Sequence, residues 1–203
     1  MGEQPDSSCL IVVDLLEDYF DRQLWPQSQI PDQRHALVEN TNRMVSAFRS
    51  VNLPVIWIRQ EFEPDLSDAF PHMIRKGMSY TIRDTPGSRL LTELEHKSTD
   101  PVFVKKRFSA FFETDLKSFL TSQSISSIYL AGITSSWCLR STAVDAYQYG
   151  FHVTLIDECI SGFVQTAHEF AMSEMDGYIA SVAAMDDVIA QIGSTSNTEN
   201  TSR

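Results

Sequence analysis

The chain is short of positive charge. Its 16 lysines and arginines stand against 27 aspartates and glutamates, a net charge of −11. A basic footprint for nucleic acid is therefore not expected, and an anionic substrate would need a locally positive group. Cysteine is scarce as well. Three cysteines, an odd count without CxxC spacing, argue against a disulfide framework or a cysteine-based zinc site. No apolar run approaches the length that crosses a bilayer. The opening residues MGEQPDSS carry no basic side chain, and the apolar run after them is too short for a secretory signal. A reducing cytoplasm, with no membrane partner, is the expected setting. None of the five histidines has a metal-ligand spacing, and His168-Glu169 lacks the second histidine of HExxH. No internal repeat is visible.

What remains is a chain of 203 residues with 42% hydrophobic and 21% charged side chains, enough for one well-cored soluble domain. Short β-branched runs at Leu10–Val13, Val55–Ile58, Val102–Val104, Ile128–Ala131, Val153–Ile156 and Ile179–Val182 predict strands buried on both faces, as parallel strands are. Helical spacing predicts helices over His35–Val51, Thr114–Thr121, Trp137–Tyr149, Thr166–Tyr178 and Met185–Ile192. The alternation predicts an α/β fold with right-handed crossovers. Two connections, Asp18–Pro31 and Glu61–Arg89, are irregular and rich in aromatics. Long connections of that kind commonly wall a binding site. Their apolar content, if left in water, predicts self-association. The domain is expected to occupy residues 1–192, and the polar stretch 193–203 is expected to be a disordered tail.

Three reactive side chains fall at strand ends. Asp14 closes CLIVVD, Lys105 closes PVFVK, and Cys138 follows IYLAG by the turn ITSSWC. In open parallel sheets, ligands bind beyond the carboxyl ends of the strands, where strand order reverses. Cys138 stands at the start of a helix, where free N–H groups and the helix dipole would lower a thiol pKa and steady an oxyanion. The alternative is a small buried hydrophobe, the usual fate of a free cysteine. Asp14 would serve as general base and acid, or else cap its loop. Alternation along Val102–Lys106 leaves open whether Lys105 or Lys106 points inward. Cys9 reads as core, and Cys159 is a weaker nucleophile because no helix cap precedes it. Tyr19, Phe20, Phe62, Phe111 and Trp137 are the candidate substrate-binding side chains, each with a core role as its alternative.

Taken together, IVVDLLEDYF, VFVKKRFSAFFETDL and YLAGITSSWCLRSTAVDAYQYGFHVTLIDEC resemble the isochorismatase-like cysteine hydrolases over roughly residues 8–190. The resemblance implies a three-layer αβα fold whose six-stranded parallel sheet has the order 3-2-1-4-5-6. It implies Asp14, Lys105 and Cys138 as a catalytic triad, selecting Lys105 over Lys106. It also implies a cis peptide between Ile133 and Thr134, with the amides of Thr134 and Cys138 as the oxyanion hole. The metal site of the nicotinamidases is not matched, because Gln60-Glu61-Phe62 stands where the ligands belong, so no metal or other cofactor is expected. The implied activity is cleavage of a C–N bond in a small amide, ureido compound or lactam-like ring through a thioester. An isochorismatase proper and a non-catalytic binding protein on the same fold are the rivals. The family's habit of forming dimers or tetramers again implies a homo-oligomer.

Overall fold

In a computed structural model, the backbone is described for residues 7–200 and side chains for residues 7–194. The strands are β1 (Ser7–Val13), β2 (Val55–Gln60), β3 (Val102–Lys105), β4 (Ile125–Ile133), β5 (His152–Ser161) and β6 (Ser181–Ala183). All pair in parallel, in the order β3-β2-β1-β4-β5-β6. Six helices accompany them: α1 (Arg34–Ser50), α2 (Pro71–Lys76), α3 (Leu116–Ser122), α4 (Arg140–Gln148), α5 (Gln165–Met175) and α6 (Met185–Asn200).

Alternation along the strands sorts the core into two layers. Leu10, Val12, Val55, Trp57, Tyr129 and Ala131 face one side, where α1 and α6 pack with Met44, Phe48, Val188 and Ile192. Ile11, Val13, Ile56, Ile58, Ile128 and Leu130 face the other, against Leu116 and Leu120 of α3, Ala143 and Ala146 of α4, and Met172 and Met175 of α5. A strand buried on both faces has no polar side to spare, which is why the central strands read as continuous apolar runs; the edge strands β3 and β6 expose residues, Val102 and Val104 among them, against the expectation of two-sided burial. The helix buries Leu37, Val38, Thr41, Met44, Val45 and Phe48 along α1, the i, i+4, i+7 stripe of a sheet-packed helix.

Three local features depart from the sequence reading. The segment entering α4 is a π-turn at Ser135–Leu139, so the regular helix begins at Arg140. The irregular second connection holds α2, opened by Pro71 and closed by Gly77 in the left-handed conformation (φ 62°). Proline at the first position and glycine just past the end are strong local signals, but six residues give no periodicity to read. Finally, α6 carries the backbone past Gly193 to Asn200. The rest of the expected tail, residues 201–203, lies outside the described residues.

Candidate active site

The order β3-β2-β1-β4 brings three chain segments to one edge of the sheet. Val13 pairs with Ile58 on one side and with Gly132 on the other. Asp14 therefore leaves β1 level with the end of β4, where the chain turns toward Cys138. Gly132 makes this closeness possible. A Cβ on it would lie 2.0 Å from the Val13 carbonyl oxygen, and its φ of +114° is one that side-chain-bearing residues rarely adopt. Asp14 itself is left-handed (φ 55°), which turns its carboxylate off the strand line. Lys105 pairs with Gln60 at the end of β3, two strands from β1, and its long side chain crosses over β2 to reach Asp14.

The three groups meet out of water. Lys105 Nζ lies 2.7 Å from Asp14 Oδ2 and donates to Cys138 Sγ at 3.3 Å and to the Arg107 carbonyl at 3.1 Å. Beyond burial, Asp14 also acts on the Cys138 thiol, raising its pKa. Lys105 is fully buried, and Asp14 and Cys138 are 1% and 5% exposed. Lys106 points outward, to Asp68 at 2.9 Å and Glu63 at 3.8 Å, which settles the lysine that alternation left open. Burial works against the Lys105 ammonium, but the charge of Asp14 and then of Cys138 more than offsets it, so its pKa is raised. Burial pushes the Cys138 thiol up to about 12; Lys105 opposes the rise and Asp14 adds to it. This reverses the lowered thiol pKa expected from a helix start. The lysine's charge is shared with a carboxylate, so it does not stabilise the thiolate alone. At neutral pH the resting sulfur is a thiol that needs a base, and Asp14 is the carboxylate held beside it by their shared partner Lys105.

The turn after β4 carries the second element of the site. The Ile133–Thr134 peptide is cis. The N–H groups of Trp137 and Leu139 both donate to the Thr134 carbonyl, at 3.0 and 3.1 Å; the Cys138 amide between them does not share that acceptor. Of the other cysteines, Cys9 lies in the layer of α3–α5 within β1, and Cys159 lies on the opposite face of the sheet from Cys138. Burial raises both thiols, Cys159 to about 12.

The structure divides the five aromatic candidates. Tyr19 is buried, donates to Gln60 Oε1, and its raised pKa reflects burial and then the nearby Cys138 and Asp14. Trp137 is 52% exposed beside Cys138 and packs on Phe108. Phe62 is buried behind Tyr80 and Phe70, one layer back. Phe20 packs under the Arg34 guanidinium. Phe111 is not brought to the site, since its ring meets Tyr149 and Phe151, at the far end of α4 from Cys138. Sequence reasoning missed Tyr80, whose pKa is raised by burial, Cys138 and Asp14 and whose hydroxyl meets His72 Nε2 at 3.3 Å. It also missed Phe108 and Phe70, stacked at 4.5 Å. All but Phe108 come from the irregular connections or lie beside them, where no periodicity marks a side chain's direction. The connections fold back on their own chain, and Trp25, Tyr19, Tyr80, Phe62 and Phe70 form one aromatic cluster.

The donor set at the end of β2 does not suit a metal. Gln60 uses its oxygen on Tyr19 and its nitrogen on the Arg107 carbonyl at 3.4 Å. Among the described residues, no three His, Cys, Asp or Glu side chains are grouped to hold an ion. Nor, among them, is any helix long and apolar enough to cross a membrane.

A parallel sheet of this order, with an Asp–Lys–Cys cluster buried at its switch point, defines an α/β enzyme class. The family model described as the isochorismatase domain matches residues 8–187, and the chain belongs to the isochorismatase family, as a hydrolase. It is 26% identical to a maleamate amidohydrolase of Pseudomonas putida over 165 residues, 77% of this chain and 75% of that protein. It is 27% identical to a probable inactive nicotinamidase of Arabidopsis thaliana, covering 86% and 91%. A cysteine hydrolase structure from Pseudomonas syringae superposes with a TM-score of 0.84 at 19% identity, covering 95% of each chain, a likeness of fold.

Proposed function

We propose that this hydrolase cleaves the C–N bond of a small carboxamide, ureido compound or lactam-like ring through a thioester on Cys138. The observation that carries the reading is the contact of Lys105 with both Asp14 and Cys138, at 2.7 and 3.3 Å, in a water-excluded site. Asp14 takes the thiol proton and the sulfur attacks the carbonyl carbon. The amides of Thr134 and Cys138 hold the oxyanion. Asp14 returns the proton to the leaving nitrogen as the tetrahedral adduct collapses to a thioester. Water, deprotonated by Asp14, then releases the acid and frees the thiol. Lys105 holds Asp14 and Cys138 fixed relative to each other. The maleamate amidohydrolase among the relatives acts, by its name, on a small amide of this kind.

The isochorismatase alternative needs cations for two carboxylates. Arg59 is paired with Glu61 at 2.9 Å, and Arg83 with Glu63 at 2.7 Å, so the cations the sequence offered for that role are already matched. A non-catalytic role would leave the buried cluster without a use. The test is ammonia release from a panel of small amides, before and after iodoacetamide. Pyruvate release from isochorismate in place of ammonia would overturn the reading, as would turnover that survives complete alkylation of Cys138. The chemistry proposed needs no metal, so exhaustive EDTA treatment should leave the rate unchanged. We also propose a homo-oligomer acting in the cytoplasm. Most aromatics of the connections are covered by their own chain, so the support comes from exposed Ile74, Trp137, Val164 and Phe170. Sedimentation at micromolar concentration should exceed the 23.0 kDa monomer mass.

A further inference from the structure

The basic side chains around the second connection are nearly all matched by carboxylates. Arg59 pairs with Glu61, Arg83 with Glu63 and Asp84, and Lys106 with Asp68 and Glu63. Arg107 is different. Its Nη1 donates only to carbonyls, those of Asp68 at 2.8 Å and Lys106 at 2.7 Å. Among the described residues it has no carboxylate in ion-pair range, and its Nε and Nη2 have no protein acceptor. The guanidinium lies 5.6 Å over the ring of Phe70. Phe70 stacks on Phe108 at 4.5 Å, and Phe108 packs on Trp137 at 5.2 Å. An apolar strip thus runs from an unpaired cation to the residue before Cys138. The Arg107 carbonyl accepts from Lys105 Nζ, which also donates to the Cys138 sulfur. His72, stacked on the same Phe70 ring, has a lowered pKa from burial and then from Lys76 and Arg75. Guanidinium presents a fork of donors that fits a carboxylate on two bonds.

Resting on the amidase reading above, we propose that the substrate is an anionic amide and that Arg107 receives its carboxylate, with the connecting carbons laid on Phe70 and Phe108. Arg107 then sets specificity: it binds the end of the substrate remote from the scissile bond.

The test compares maleamic acid with its methyl ester, which differ in that charge. The wild-type enzyme should favour the acid at least tenfold in kcat/KM. Arg107→Met keeps an apolar stem over Phe70 and should cut the acid-to-ester ratio tenfold or more, chiefly through KM. Arg107→Lys should restore part of the ratio. A purely structural tether would lower both substrates alike and leave the ratio unchanged, which would overturn the proposal. So would a wild-type preference for the ester. A second measurement does not depend on turnover. Maleic acid should bind Cys138→Ala in calorimetry and bind at least tenfold more weakly when Arg107→Met is added. Absent binding, or unchanged affinity in the double variant, overturns the proposal. Arg107-dependent binding without turnover of any amide supports the anion site and overturns the amidase reading instead.

Discussion

The carboxyl edge of the sheet and the two aromatic connections wall the same site but are built on opposite principles. At the edge, each reactive group sits on or just past a strand whose register is fixed by backbone pairing, with a core on both faces of β1 and β4 and on one face of the edge strand β3. Nothing there is free to adjust. A buried carboxylate and ammonium are costly unless they contact each other, so Asp14 and Lys105 hold one geometry. The connections, by contrast, are held by ring packing, ion pairs and isolated backbone bridges, with left-handed residues at Leu66, Thr81 and Asp84. A threonine in that conformation is unusual and persists only where surroundings hold it. The lesson is a division of labour. The reactive cluster is placed where strand pairing fixes it, and the aromatic side chains where contacts between side chains do.

The widest gap between the two regions should open at the nucleophile. Cys138→Ala should lower turnover on the order of 10³-fold or more while the thermal midpoint moves little, since the change removes one small buried group. Cys138→Ser should be nearly as inactive, because its hydroxyl is a far weaker acid. Near-normal ammonia release from either variant would break the assignment of chemistry to the sheet edge.

Next in size are the lysines. Lys105→Ala leaves the Asp14 carboxylate buried without its partner and should cost about 3–5 kcal/mol of stability along with activity. Lys106→Ala removes half-exposed ion pairs worth about 1 kcal/mol or less, and its activity should stay within a few-fold of wild type. Denaturant midpoints and kcat for the two variants measure the contrast directly. Asp14→Asn should fold and bind but lose about 10²-fold or more in rate, the size of a general acid–base effect.

The sheet edge was legible in the sequence because two-sided burial writes a strand as a run of apolar residues, and Asp14 and Lys105 break that run where it ends. The four central strands were found this way; β3 and β6 lie at the edges with exposed residues, and β6 runs over Ser181–Ala183 rather than Ile179–Val182. The order of the strands came from family resemblance, since no single strand encodes its neighbour. The connections were not legible. Tyr80 and Phe70 have no periodic neighbours to show which way they point, and Phe111 was misplaced because an aromatic near Lys105 in sequence need not lie near it in space. The thiol's raised pKa was also hidden, because burial and the carboxylate's hold on Lys105 are properties of the assembled site.

That raised pKa gives a smaller but sharper effect. With Cys138 pushed up to about 12, the thiolate fraction rises tenfold per pH unit across pH 7–10. Iodoacetamide should therefore alkylate Cys138 at least tenfold more slowly at pH 8 than a small free thiol, even allowing for the greater intrinsic reactivity of a high-pKa sulfur. The rate should still be climbing at pH 10. A plateau below pH 8, followed by mass spectrometry of the labelled peptide, would show that the lysine does stabilise the thiolate after all.

The smallest effects belong to the hinge between the two connections, Asp18. Its Oδ2 accepts the Thr81 N–H, while Trp25 Nε1 donates to its main-chain carbonyl at 2.9 Å, so one residue ties the first connection to the loop that carries Tyr80. Burial raises its pKa, the Thr81 bond opposes this, and Asp21 and Glu17 add to the rise. A carboxyl with a raised folded-state pKa favours folding when protonated. That contribution is complete below its unfolded pKa and is lost as pH rises through the folded value. Asp18→Asn keeps an acceptor for Thr81 and removes the charge. It should be at least as stable as wild type at pH 7, and the difference should vanish below about pH 4, near the unfolded pKa of an aspartate. Melting curves at the two pH values read this out. Gly87→Ala acts on the same contact by force, because its Cβ would lie 2.1 Å from the Asp18 carboxylate. It must displace the carboxylate and orphan the Thr81 amide, at about 1–3 kcal/mol, and should raise KM through Tyr80 with kcat nearly unchanged. Equal losses in KM and kcat would mean that the connections help hold the sheet edge, and the division between the two regions would fail.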